Sequence, residues 1–205
     1  PYDITQNGGF DAFITKYDAA GVRQFTTYFG GAGNDRGTCL AINNSGGTIS
    51  LGGVTQGSTG LASGGAYRGG NSGLIDGFIF TINNNGARQW STYYGGPGND
   101  YINGITNDGA ANNVYVTGRT ESATLIASAG VFQTALSGSA DAFIARFNGG
   151  SGANSFSTYY GGTGVDEGQG ISADASGGNV VITGQTNSII NIATAGAYQS
   201  TLGGS

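Results

Sequence analysis

The chain has 205 residues, with 42 glycines but 2 prolines, 12 Asp or Glu against 7 Lys or Arg, a formal charge of −5 and no histidine. Glycine at that level without a strict Gly-X-Y period excludes collagen and proline-rich linkers, and the aromatic, β-branched runs exclude low-complexity disorder. Sparse, scattered basic residues argue against nucleic acid or an anionic membrane surface as partner, and no apolar run approaches the ~20 residues of a membrane-spanning helix.

In chain order, the first predicted strand is Ala12 to Tyr17, closed by Asp18-Ala19-Ala20-Gly21, and the second is Arg23 to Phe29, ending at Gly30-Gly31. A short third strand, Thr38 to Ile42, is followed by Asn43-Asn44-Ser45-Gly46-Gly47 and by a fourth, Thr48 to Gly53. Alternating residues bounded by turn formers are the signal in each case, and the short connections suit antiparallel hairpins. A longer connection, Gln56 to Ile75, leads on; its best helical stripe, Leu61 to Tyr67, is interrupted by glycine.

The whole pattern then repeats. Thr26-Thr27-Tyr28-Phe29-Gly30-Gly31-Ala32-Gly33-Asn34-Asp35 recurs as Ser91 to Asp100 and as Ser157 to Asp166, and Asp11-Ala12-Phe13-Ile14 recurs at Asp76 and at Asp141. A recurring four-strand unit predicts an all-β fold, a β-propeller segment of about three four-stranded antiparallel blades. The expected division is 1–10 as the end of a preceding inter-blade loop, 11–75 as blade 1, 76–140 as blade 2 and 141–205 as blade 3 with its following loop. Small residues opening the first strand of each unit, Ala12, Gly77 and Ala142, suggest that it lies innermost. Tyr2 to Gly9 aligns with Tyr198 to Ser205, so the copies overlap instead of closing after three, and the array is expected to continue into the remainder of a larger chain or into neighbouring copies.

The run Trp90-Ser91-Thr92-Tyr93-Tyr94-Gly95-Gly96, then Asp100, Gly104-Ile105, Asp108 and Asn113-Val114-Tyr115-Val116-Thr117-Gly118-Arg119-Thr120, resembles the bacterial seven-bladed β-propeller (SBBP-type) repeat family. The third copy extends the match through Tyr159-Tyr160-Gly161-Gly162, Asp166, Asp174 and Asn179 to Thr186. The first departs at Asn43 and at Leu51-Gly52-Gly53, which leaves the edge of its sheet in question. The resemblance implies a secreted or cell-surface bacterial protein whose blades are structural or adhesive, with no catalytic residues and with surface glycans or proteins as partners.

Candidate chemistry is limited. Without histidine, Ser-His and Cys-His nucleophile pairs and the usual zinc sites are excluded, leaving carboxylate chemistry on polysaccharides as a remote alternative. Cys39, where the other copies carry Gly104 and Gly170, reads as a small packed residue. Asp35, Asp100 and Asp166 close a glycine-rich run resembling the start of a calcium-binding turn; the competing reading is a carboxylate that caps backbone N–H groups. Asp11, Asp76 and Asp141 either line an acidic channel mouth or form Asx turns. The pairs Tyr28-Phe29, Tyr93-Tyr94 and Tyr159-Tyr160 place at least one ring in the core, and an exposed second ring would suit a lectin-like glycan surface. The connections Gln56 to Ile75 and Glu121 to Ala140 are the expected recognition loops.

Overall fold

The computed structural model describes residues 2–43, 47–109, 113–174 and 176–203. Among them are twelve strands and no helix: β1 (Ala12–Tyr17), β2 (Arg23–Phe29), β3 (Asp35–Asn43), β4 (Thr48–Thr55), β5 (Asp76–Ile82), β6 (Arg88–Tyr94), β7 (Asp100–Asn107), β8 (Asn113–Thr120), β9 (Asp141–Asn148), β10 (Asn154–Tyr160), β11 (Asp166–Ala173) and β12 (Val180–Thr186). β1 and β2 coincide with the expected strands. β3 and β4 run longer, because Asp35 pairs with Thr55 and carries the ladder to the end of the hairpin.

Local chemistry explains the hairpins. Between the first two strands of each copy, Gly21, Gly86 and Gly152 hold φ values of 78°, 79° and 71°, a region costly for residues with a Cβ. Beside them, Asp18, Asn83 and Asn148 each accept backbone N–H groups two to four residues onward, so the same side-chain-capped turn is built three times.

The sheets do not coincide with the units 11–75, 76–140 and 141–205. β3-β4-β5-β6 form one four-stranded antiparallel sheet and β7-β8-β9-β10 another, while β1-β2 and β11-β12 are two-stranded. Strand β4 pairs with β5 across the long connection, Leu51 opposite Phe80 and Thr55 opposite Asp76, whereas the short Gly30–Asn34 link carries the chain from one sheet to the next. Three blades' worth of strands is therefore distributed as two whole sheets flanked by two halves. Loop closure becomes only slowly more costly with length, so a long connection is no barrier to pairing.

Successive sheets approach each other most closely along β3, β7 and β11. The third strand of each copy is thus innermost, which corrects the expectation for the strand beginning at Ala12, Gly77 or Ala142; in the whole sheets Gly77 and Ala142 lie two strands further out. One apolar core joins Ala12, Ile14 and Phe29 to Leu51, Phe78, Phe80 and Tyr93, and a second joins Ile79 and Tyr94 to Ile102, Val116, Phe143 and Phe147. Along β5, Phe78, Phe80 and Ile82 enter the first core and Ile79 the second, the period-two alternation of a strand buried on both faces. The first copy's sheet edge is sound. Cys39 opposes Gly52 there, while Gly104 opposes Thr117 and Gly170 opposes Thr183, so one side chain fills the same space from either strand.

Candidate functional site

The most polar part of the interior is a corner built where each glycine pair turns into the innermost strand. In the second copy, Asp100 Oδ2 accepts the Gly96 N–H at 2.7 Å and the Ser122 hydroxyl at 2.7 Å, and Oδ1 accepts the Thr120 hydroxyl. Ser122 Oγ in turn accepts the Gly98 N–H at 2.9 Å. The third copy repeats the arrangement: Asp166 accepts Gly162 N–H and Ser188 Oγ at 2.8 Å each, together with Thr186 Oγ1. In the first copy Asp35 Oδ2 accepts Gly31 N–H at 2.7 Å and the carboxylate is also met by the Thr55 hydroxyl, but Gly57 stands where the others have Ser122 and Ser188.

A second carboxylate approaches each corner across a glycine. A Cβ on Gly95 would lie 2.7 Å from Asp76 Oδ1 and 2.8 Å from Asp100 Oδ2, and one on Gly161 would lie 2.6 Å from oxygens of both Asp141 and Asp166. Glycine is therefore required there by space. Asp11, Asp76 and Asp141 each accept the N–H four residues earlier, from Asn7, Ser72 and Ser137, at 2.9, 2.6 and 2.9 Å. These are side-chain-capped turns. Asp76 and Asp141 are fully buried, so they form no acidic channel mouth. Burial pushes Asp76 up to about 6, with the Asp100 charge adding to the rise, and burial also raises Asp35, Asp100 and Asp141.

Where the corner is complete, at Asp100 and Asp166, the carboxylate oxygens face hydroxyl and amide donors that an ion would have to displace. No group of three or more His, Cys, Asp or Glu capable of holding a metal occurs among the described residues. Cys39, half-buried, has its thiol pushed up to about 11 by burial, which disfavours the reactive thiolate.

The aromatic pairs are more deeply packed than expected. Tyr93, Tyr94, Tyr159 and Phe29 are all fully buried, and only Tyr28 leaves its ring substantially open. The long connections are also strapped down. Ser63 N–H bonds to Ser91 O at 3.0 Å and Ser128 N–H to Ser157 O at 2.8 Å, while Arg68 N–H and Gln133 N–H reach the hydroxyls of Thr92 and Thr158 at 2.9 and 3.0 Å. Leu61 and Ile126 anchor the two loops in the cores. The connections Gln56 to Ile75 and Glu121 to Ala140 thereby cover the outer edges of β6 and β10, an edge that otherwise invites foreign strands.

One structural feature had only a faint trace in the sequence. Each innermost strand carries a β-bulge at the same place, between Gly37 and Cys39, Ile102 and Gly104, and Gly168 and Gly170. The inserted residues are Thr38, Asn103 and Gln169. Thr38 donates to Ile102 O at 2.5 Å, and Asn103 donates to Gly168 O at 3.0 Å and to Glu167 Oε1 at 2.9 Å. A bulge re-aims one side chain, and here it clips each innermost strand to the next. Only the polar residue just before Cys39, Gly104 and Gly170 marked it.

Residues 89–125, running from β6 through β8 into the following loop, match the family model described as SBBP: Beta-propeller repeat. No curated protein matches the chain. The matched segment contains the complete Gly95 to Ser122 corner, whose parts recur in the third copy and, save for one serine, in the first. The chain is a β-propeller segment, and its 89–125 stretch matches the SBBP beta-propeller repeat that the sequence resembles.

Proposed function

We propose that the chain is a non-enzymatic structural module, a propeller segment that acts as a rigid spacer or adhesive scaffold in a secreted or surface-exposed bacterial protein. The observation that carries this reading is the repetition of the buried corner. Asp35, Asp100 and Asp166 occupy equivalent places and accept the same glycine N–H, so the buried carboxylates belong to the scaffold of every copy. Perturbed acids also arise in structural networks, and repetition favours that origin over a single reacting centre. The module needs no cofactor: the chain's own donors supply the positive partners that calcium would otherwise provide.

A lectin-like reading of the aromatic pairs would rest on their exposed rings, and burial of Tyr93, Tyr94 and Tyr159 leaves Tyr28 exposed and Tyr160 half-buried. The test is a glycan array and a polysaccharide turnover assay on the 205-residue chain. Neither reproducible glycan binding nor turnover is expected. Glycan binding abolished by Tyr28→Ala would replace the scaffold reading with the lectin-like one, and turnover abolished by one Asp substitution would replace it with the enzymatic one.

A further inference from the structure

An asparagine followed by glycine is chemically labile where its side chain is free, because glycine has no side chain to shield its backbone nitrogen from the preceding amide carbon. The pair occurs four times, at Asn7-Gly8, Asn85-Gly86, Asn103-Gly104 and Asn148-Gly149. The fold treats the four differently. Asn103 is half-buried, and its amide donates to Glu167 Oε1 and Gly168 O at 2.9 and 3.0 Å. Asn148 Oδ1 accepts the Gly150 N–H, the Ser151 N–H and the Ser151 hydroxyl at 3.0, 3.0 and 3.1 Å. Asn7 Nδ2 donates to Asp3 Oδ2 at 2.7 Å. Asn85 is exposed; its backbone N–H is held by Asn83 Oδ1 at 3.0 Å, and its side chain bonds to nothing among the described residues. We infer that Asn85 is a site of spontaneous modification, at which the folded chain loses ammonia and becomes aspartyl or isoaspartyl through a succinimide.

The β5-β6 turn supplies the setting. Asn83 is its capping residue, accepting the Asn85 and Ala87 N–H groups at 3.0 Å each, so the side chain that orders the loop is not the one that reacts. The Gly86 N–H makes a single turn bond, to Asn83 O at 2.9 Å, which must open before its nitrogen can attack. Lys16 Nζ donates to Asn84 O and Oδ1 at 3.1 and 2.8 Å, which puts a cation one residue from the reacting amide. Positive charge there favours the anionic tetrahedral intermediate.

Hydroxide removes the Gly86 N–H proton, and the nitrogen's electron pair forms a bond to Asn85 Cγ. The Cγ–Nδ2 bond breaks, and the side-chain nitrogen leaves as ammonia with a proton from water. A second water opens the ring. Cleavage between Gly86 N and Cγ gives an aspartyl residue; cleavage between Gly86 N and the former main-chain carbonyl carbon gives the isoaspartyl form, whose backbone carries one extra methylene. Either product adds a negative charge to the turn. The isoaspartyl form also lengthens a loop that holds Gly86 at a φ of 79° and is spanned by the Asn83 bonds, so it loosens the β5-β6 hairpin.

The test incubates the 205-residue chain, folded and in urea, in warm, mildly alkaline buffer and follows its tryptic peptides by mass spectrometry. In urea, the peptides carrying all four pairs are expected to gain the amide-to-acid mass difference at similar rates. In the folded chain the gain is expected first in Gly69–Arg88, with fragmentation placing it at Asn85 and an isoaspartyl methyltransferase labelling the same peptide. Asn85→Gln is expected to abolish it. A folded Gly69–Arg88 peptide that keeps its mass while the urea sample reacts overturns the assignment, as does a gain placed at Asn71, Asn83 or Asn84, or an equal or faster gain at Asn7, Asn103 or Asn148 in the folded chain.

Discussion

Phe78 and Phe13 occupy the same position in successive copies, yet one is fully buried and the other 67% exposed. The whole sheets β3–β6 and β7–β10 have a neighbour on each side; the half-sheet β1-β2 has one only on the side of β3–β6. Identical residue types thus carry different energetic weight according to whether a second sheet covers them. The propeller repeat is not an independent folding unit: its stabilising surface lies between copies.

The largest expected effect follows from that contrast. Phe78→Ala should destabilise the chain by about 3–5 kcal/mol in urea unfolding, the usual range for deleting a buried phenylalanine. Phe13→Ala, measured in solution dilute enough for single chains, should stay within about 0.5 kcal/mol of the parent, as for an ordinary surface site. Equal effects would erase the distinction between whole and half sheets.

The corners sharpen the comparison further. Ser122→Ala removes a donor to Asp100 and the acceptor for Gly98 N–H, and should cost about 1–3 kcal/mol in the same measurement.

Asp76 supplies a pH dependence. Its carboxyl, raised from 3.8 to about 6 by burial, binds a proton more tightly in the folded state than in the unfolded chain. Its stabilising contribution is complete below 3.8 and is lost as pH rises through about 6. Asp76→Asn should flatten the unfolding free energy across that window by about 1 kcal/mol, solvent screening included.

The smallest change repairs the odd copy. Gly57→Ser restores the hydroxyl that Ser122 and Ser188 aim at their aspartates, and should raise stability by about 0.5–1 kcal/mol in thermal or urea unfolding.

Much of the fold was legible in the residues. The strands Ala12–Tyr17 and Arg23–Phe29, and the side-chain-capped turns at Asp18, Asn83 and Asn148, are local consequences of alternation and turn chemistry. The aspartate corner was legible as a capping motif, because the glycine N–H it accepts lies four residues away in sequence. Its other donors, Thr120 and Ser122, were not, since they arrive from the end of β8. Nor was the exchange of Cys39-Gly52 for Gly104-Thr117, which only the cross-strand register explains.

The sequence by itself determined the period, the strands within it and the residues that must turn, because each depends on neighbours a few positions apart. Which strands share a sheet, and which strand lies innermost, was decided by the tertiary structure alone. The long connection resembled a boundary and the short Gly30–Asn34 link resembled a hairpin, but pairing follows whichever arrangement buries Phe78, Phe80 and Tyr93 on one side and Ile79 and Tyr94 on the other. That burial is a property of sheets facing one another, so no single copy could reveal it.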